Sequence, residues 1–308
     1  MIEVRNLTKV YSKRQGPAID SVDFNVRNGE IVGFVGLNGA GKTTTIRIAS
    51  GVSLPTSGTI LMDGHDITTD KIAASKTVGW VPELPNFETN AKAKNLLLYF
   101  AGFYGMLQEE AEKRANELFS ALNLAGFEKR KLGTYSQGMK KRFMLAASML
   151  PDPQNYLLDE ILSGIDIEGV QFVRNLIADL KKRNKAVLLS SHILTEVENI
   201  SDRVVFIHKG KIIKVATREE LLGVSSSVGG TLKLVTSNLN DDALAYLKTM
   251  GDVHVEGNVI VISSFKGDSS LVNAELIRRG IAVRELSFER STLEEYFFKL
   301  LEDQVRTK

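Results

Sequence analysis

The chain has no cysteine. Disulfides, thiolate metal sites and cysteine nucleophiles are thereby excluded, and a reducing compartment is compatible with the composition without being required by it. An excess of one charge is also missing: 39 Lys and Arg stand against 37 Asp and Glu, a formal net charge of +2. Proteins that work on nucleic acid usually carry a basic face or stripe, so no nucleic-acid partner is expected. Local phosphate binding stays open, because loop geometry decides it. Long apolar runs are lacking too. Stretches such as Ile31–Val35 and Ala186–Leu189 fall far below the ~20 residues of a membrane-spanning helix. The opening Met1-Ile2-Glu3-Val4-Arg5 brings an acidic residue at once and no apolar stretch, unlike a secretory signal. A protein soluble by itself is expected, with any membrane role coming through a partner.

What is present is an ordinary globular composition. Hydrophobic residues make up 43% of the 308, enough to bury a real core, and the length suggests roughly two domains. Up to residue 222, short β-branched runs alternate with helical stretches, the pattern of an α/β domain. Strands are expected at Ile2–Val4, Val22–Val26, Ile31–Val35, Thr59–Met62, Val78–Val81, Tyr156–Leu158 and Ala186–Ser190. Arg203–His208 and Lys211–Val215 flank Lys209-Gly210 and read as a hairpin. Between about residues 86 and 150 the pattern turns helical, with Ala91–Tyr104 and Gln108–Leu122 carrying helix-period apolar residues. The uncharged Gly/Ser-rich stretch 223–230 reads as a linker. Beyond it, 231–308 gives strand, helix, two strands around Glu256-Gly257-Asn258, helix, strand and a final helix, Thr292–Glu302. That order is βαββαβ plus one helix, a small α+β ferredoxin-like domain.

The segment Gly36-Leu37-Asn38-Gly39-Ala40-Gly41-Lys42-Thr43-Thr44 fits G-x-x-x-x-G-K-[ST]. A buried strand runs in and a helix beginning near Lys42 runs out, which is the context the chemistry needs. Glycines let the backbone wrap with its N–H groups pointing into one concavity, and the helix N-terminus adds partial positive charge there. Lys42 is expected to reach the β- and γ-phosphates of a nucleotide, and the Thr43 hydroxyl to ligate Mg²⁺. An accidental glycine-rich turn is the bland alternative, and the strand–helix context disfavours it.

Asn155-Tyr156-Leu157-Leu158-Asp159-Glu160 is an apolar strand ending in two carboxylates. At a strand terminus both can face the crevice beyond the sheet's carboxyl edge. Asp159 is then expected to hold Mg²⁺ through water, and Glu160 to polarise a water towards the γ-phosphorus. Alone, such a pair is more often a solvated strand end; beside the loop at 36–44 the functional reading prevails.

Between these elements lies Tyr135-Ser136-Gln137-Gly138-Met139, opening a helix with Lys140-Lys141-Arg142. Here the sequence resembles the ABC ATPase family, whose signature is a Leu-Ser-Gly-Gly-Gln stretch just upstream of the acid strand. Ser136 and Gly138 match the positions that contact the γ-phosphate held by the opposite subunit, while Tyr135, Gln137 and Met139 depart from the pattern. Ser163-Gly164-Ile165-Asp166 stands where the family has its Ser-Ala/Gly-Leu-Asp loop. His192, after Ser190-Ser191, stands where it has a switch histidine, and Tyr11 matches the aromatic that stacks on adenine. After Val78-Gly79-Trp80-Val81-Pro82 the family commonly has Gln; this chain has Glu83. A carboxylate there either reaches the metal or faces solvent, and both readings stand open.

The resemblance covers about residues 1–220 and implies a P-loop NTPase fold of ABC ATPase type with a helical subdomain. Residues 231–308 match more loosely: some members, especially exporter-like ones, end in a similar accessory domain closing with a Leu-Glu-Glu-x-Phe-like helix, which here reads Leu293-Glu294-Glu295-Tyr296-Phe297. The implied activity is ATP hydrolysis with Mg²⁺, powering transport through a separate integral membrane permease. The implied assembly is two ATPase subunits closed head to tail, as a homodimer, at the cytoplasmic face of the membrane. Phe87, Phe100, Phe103 and Tyr104 are candidates either for contact with that permease or for internal helix packing. A soluble ABC ATPase not coupled to transport is the alternative, disfavoured by one cassette and no sustained heptads. A regulatory module that binds ATP without hydrolysing it is disfavoured by Glu160 and His192.

Overall fold

A computed structural model describes residues 1–12, 14, 16–84, 87–221, 230–265, 267–289 and 293–306. The chain divides into two units, Met1–Val215 and Ala216–Lys308. The expected linker lies outside the described residues except for Gly230. The first stretch contains β1 (Ile2–Lys9), β2 (Ile19–Val26), β3 (Ile31–Val35), α1 (Lys42–Ala49), β4 (Ser57–Met62), β5 (His65–Asp66), α2 (Lys71–Lys76) and β6 (Val78–Val81). Three helices follow: α3 (Ala93–Phe103), α4 (Gln108–Ala121) and α5 (Gln137–Met149). Then come β7 (Asn155–Asp159), α6 (Ile167–Lys182), β8 (Ala186–Ser191), α7 (Leu194–Ile200), β9 (Arg203–His208) and β10 (Lys211–Thr217).

Six strands form one sheet in the order β10-β9-β3-β8-β7-β6, and β2-β1-β4-β5 form another. A strand covered on both faces needs apolar residues at nearly every position. That is why β3, β7 and β8 are buried throughout. Alternation then sorts their side chains. Leu157, Ala186 and Leu188 point into a core shared with the smaller sheet, including Ile2, Val4 and Ile60, and with Ile46 and Ile48 of α1. Tyr156, Leu158, Val187 and Leu189 point the other way, into a core completed by α3–α6. Phe100 belongs with the side chains packed against this second core, while Phe103 is 71% exposed.

β1 runs past the expected Val4 to Lys9. Its pairing with β2 shifts between Val4 and Leu7, and Asn6 sits between them at φ 46°. This is a bulge, in which one residue takes a left-handed backbone so that pairing resumes beyond it. The expected hairpin turn carries positive φ at both Lys209 and Gly210, the twist that two-residue hairpins favour.

In the second unit β11 (Gly230–Thr236), α8 (Asp241–Lys248), β12 (Asp252–Glu256), β13 (Val259–Phe265), α9 (Ser269–Arg278) and β14 (Val283–Glu289) precede α10 (Leu293–Arg306). The sheet order β12-β13-β11-β14, with its βαββαβ sequence, is the ferredoxin-like arrangement. Leu232, Leu234, Ile260 and Ile262 from the sheet meet Leu247, Val272 and Leu276 from the helices in a separate core. Thr292, the expected start of the last helix, lies outside the described residues. Among the described residues no helix is long and apolar enough to cross a membrane.

Candidate nucleotide-binding site

The register of the parallel strands decides what gathers at their carboxyl edge. Val35 of β3 lies beside Ser191 of β8, Asp159 of β7 beside Ser190, and Val81 of β6 beside Leu158. The residues that leave these strands therefore emerge together: Gly36, His192, Glu160 and Glu83. In parallel α/β sheets this edge is where ligands are held. A cavity of about 380 Å³ opens there, lined by Asn38–Thr44 with Ala18, Glu83, Glu160 and His192.

The loop between β3 and α1 is shaped by its glycines. A Cβ on Gly36 would lie 2.3 Å from the Ile207 carbonyl oxygen, so only glycine lets the loop pass that close to β9. Gly41 caps α1 at φ 113° and would meet Ile19 and the Ala18 carbonyl. Gly39, at φ 78°, has open space where its Cβ would be. The hairpin turn supports the loop from behind, since the Gly210 amide donates to the Ala40 carbonyl at 2.9 Å. Lys42 is 6% exposed. Its ammonium donates to the Gly36 carbonyl at 2.6 Å and lies 3.7 Å from Glu160 Oε1, in the centre of the loop.

The two acids differ in setting. Asp159 is almost fully buried and accepts a hydrogen bond from Ser190 Oγ at 2.6 Å; Thr43 Oγ1 stands 3.5 Å away. Burial pushes the Asp159 carboxyl above the usual carboxylate range, the Ser190 bond opposes this, and the charges of Glu160 and Glu83 add to it. Glu160 holds a left-handed backbone, φ 50°. Its amide donates to both oxygens of Ser190, the carbonyl at 3.2 Å and Oγ at 3.1 Å. The turn aims its carboxylate into the cavity, where Oε2 lies 2.7 Å from His192 Nδ1 and accepts from the His192 amide at 3.3 Å. Ser190 was invisible to sequence reasoning as a site residue; a polar side chain closing an otherwise apolar strand was the available signal. Glu83 lines the cavity while remaining exposed, and its charge is felt at Asp159.

Ser136, Gly138 and Asp166 gather elsewhere. They line a second cavity of about 230 Å³ with Met139, Arg142 and Ile165. Ser136 caps α5, its Oγ accepting from the Met139 amide at 3.2 Å, and Asp166 caps α6, accepting from the Gly169 amide at 2.9 Å. Tyr11 is 59% exposed, with the Lys9 ammonium 5.0 Å from its ring centroid. A single chain thus carries a loop-and-acids cavity and a separate helix-tip cavity.

A family model described as ABC transporter matches residues 19–163. The bacitracin transport ATP-binding protein BcrA of Bacillus licheniformis is 33% identical over 306 residues, covering 98% of this chain and 97% of BcrA. The chain belongs to the ABC transporter ATP-binding proteins. The doxorubicin resistance ATP-binding protein DrrA of Mycobacterium tuberculosis is 34% identical over 220 residues, 71% of this chain and 66% of DrrA. A solved structure of an ATP-binding subunit of an ABC transporter superposes with a TM-score of 0.66 at 28% identity, covering 72% of this chain and 91% of that one. This member of the family is accordingly an ATP-binding subunit with ATPase activity.

Proposed function

We propose that two copies of this ABC transporter ATP-binding subunit close head to tail on two ATP molecules and drive a separate integral membrane permease from its cytoplasmic side. The observation that carries this reading is the separation of the two cavities within one chain. Asn38–Thr44, Glu160 and His192 line one, while Ser136 and Gly138 line the other. A nucleotide in the first is complete only when a second copy supplies the helix tip, with its cap hydroxyl and the partial positive charge of its amides.

Within the first cavity each residue has a physical task. The amides of Gly36–Thr44 cradle the phosphates, and Lys42 exchanges its Gly36 carbonyl for phosphate oxygens. Tyr11 supplies an exposed ring for the adenine to stack on. Glu160 accepts the proton of the attacking water, and His192, held at its carboxylate, orients that water towards the γ-phosphate. Asp166 shapes the start of α6 beside the helix-tip cavity. The donor set suits Mg²⁺, which takes one or two carboxylates and leaves the rest of its shell to phosphate and water. Thr43, Asp159 and Glu83 would hold it, and the carboxyl strained by burial at Asp159 is one that a cation relieves. When bound, the ion neutralises charge on the β- and γ-phosphate oxygens.

Glu160→Gln tests the reading, because it preserves shape and removes the base. The variant is expected to bind a fluorescent ATP analogue like the parent, to lose about 100-fold or more in turnover, and to elute as an ATP-dependent dimer on gel filtration. Lys42→Ala is expected to lose nucleotide affinity itself. Normal turnover in Glu160→Gln, or unchanged affinity in Lys42→Ala, refutes the assignment.

A further inference from the structure

Lys141 lies in α5, five positions beyond Ser136 at the helix tip, or roughly 7.5 Å along the axis. Within a Lys140-Lys141-Arg142 run it reads as one more solvated charge. In the structure it is 8% exposed. Its ammonium donates to the main-chain carbonyls of Glu160 at 3.0 Å, Ile161 at 3.1 Å and Ser163. An ammonium has three N–H donors, and all are spent on one turn of backbone.

That turn is the one that aims the catalytic carboxylate. Glu160 holds a left-handed backbone that a side-chain-bearing residue adopts at a cost. Three carbonyl dipoles converging on one point repel each other unless a cation stands there. The amide side of Glu160 is fixed by Ser190 and the carbonyl side by Lys141. Since Ser190 belongs to the sheet and Lys141 to α5, the carboxylate's aim depends on where α5 stands.

We propose that Lys141 is the positioning residue for Glu160, tying the turn that aims its carboxylate to the helix whose tip covers the partner copy's nucleotide. The inference rests on the two-copy reading above. When Ser136 and Gly138 engage the partner's γ-phosphate, α5 is drawn into place, and Lys141 carries that placement to Glu160 of its own chain. Binding at one site thereby prepares hydrolysis at the other, and the pair of sites turns over cooperatively.

The test uses the full chain and compares the parent with Lys141→Met, which keeps an unbranched stem one atom short of the lysine nitrogen and removes every donor, and Lys141→Gln, which places two N–H donors at that same reach. Steady-state ATP turnover, titration with a fluorescent ATP analogue and thermal melts are measured on each. Lys141→Met is expected to bind the analogue within about twofold of the parent and to lose about 100-fold in kcat, the scale of a misplaced reacting group. Its turnover curve becomes hyperbolic where the parent's is sigmoidal, and Lys141→Gln recovers part of kcat. A kcat within about threefold of the parent in Lys141→Met, or equal losses in analogue affinity and kcat, overturns the proposal. A hyperbolic parent curve overturns the link between sites. Should Lys141→Met show no cooperative melt, Lys141→Gln decides in its place: parental kcat overturns the proposal, and a selective loss of kcat supports it. A parent that binds no analogue overturns instead the reading of the site, which the titration alone reveals.

Discussion

Ser190→Ala removes one hydroxyl from a fully buried position. Ser190 Oγ donates to Asp159 Oδ1 at 2.6 Å and accepts from the Glu160 amide at 3.1 Å. The amide keeps a second acceptor, the Ser190 carbonyl at 3.2 Å, so it is not stranded. The carboxylate is the side that loses. A hydrogen bond to a charged group contributes about 1.5–3 kcal/mol, and a buried acceptor left without it bears the full desolvation cost. A loss of about 2 kcal/mol is therefore expected, which for a unit of this size lowers Tm by roughly 4–8 °C. The pH dependence has a definite sign. Burial raises the Asp159 pKa, and the Ser190 bond is the largest opposing influence. The variant raises that pKa further, so its penalty is full where Asp159 is ionised and shrinks as the pH falls through the raised value. Melts of parent and variant from neutral pH downwards, in the absence of nucleotide, read both effects. A neutral-pH difference under about 1 °C, or a penalty that grows as the pH falls, refutes the reasoning.

Gly36→Ala and Gly39→Ala separate packing from ligand contact. The first forces a Cβ against the Ile207 carbonyl at 2.3 Å and should cost stability and nucleotide affinity together. The second meets nothing in the free protein, and its left-handed φ costs only about 1–2 kcal/mol; its larger effect should appear in nucleotide titrations, where the methyl crowds the phosphates. Glu83→Gln removes one of the charges that raise the Asp159 pKa. It is expected to tighten ATP binding severalfold when EDTA removes Mg²⁺ and to raise the Mg²⁺ concentration needed for half-maximal turnover. Unchanged values in both titrations would take Glu83 out of the metal site.

Much of the architecture was open to sequence reasoning because its causes are local. Uninterrupted apolar runs announced β3, β7 and β8, and the helical stretches between β6 and β7 announced themselves by period. The continuation of β1 to Lys9 was not, because the Asn6 bulge that permits it depends on pairing with β2. The register of β6 against β7 brings Glu83 to the rim of the cavity, where it is exposed, so the choice between metal and solvent falls to the Mg²⁺ titrations.

By itself the sequence determined the phosphate loop. The motif over Gly36–Thr44 is contiguous, its glycines and Lys42 in one stretch, so no distant residue is needed to read it. The tertiary structure alone decided how the acids are held. Asp159 meets Ser190 across 31 residues, and Glu160 is gripped by Lys141 across 19. Such partners are chosen by which strands lie side by side and which helix crosses the turn. A buried lysine and a solvated one are spelled alike, and only packing tells them apart.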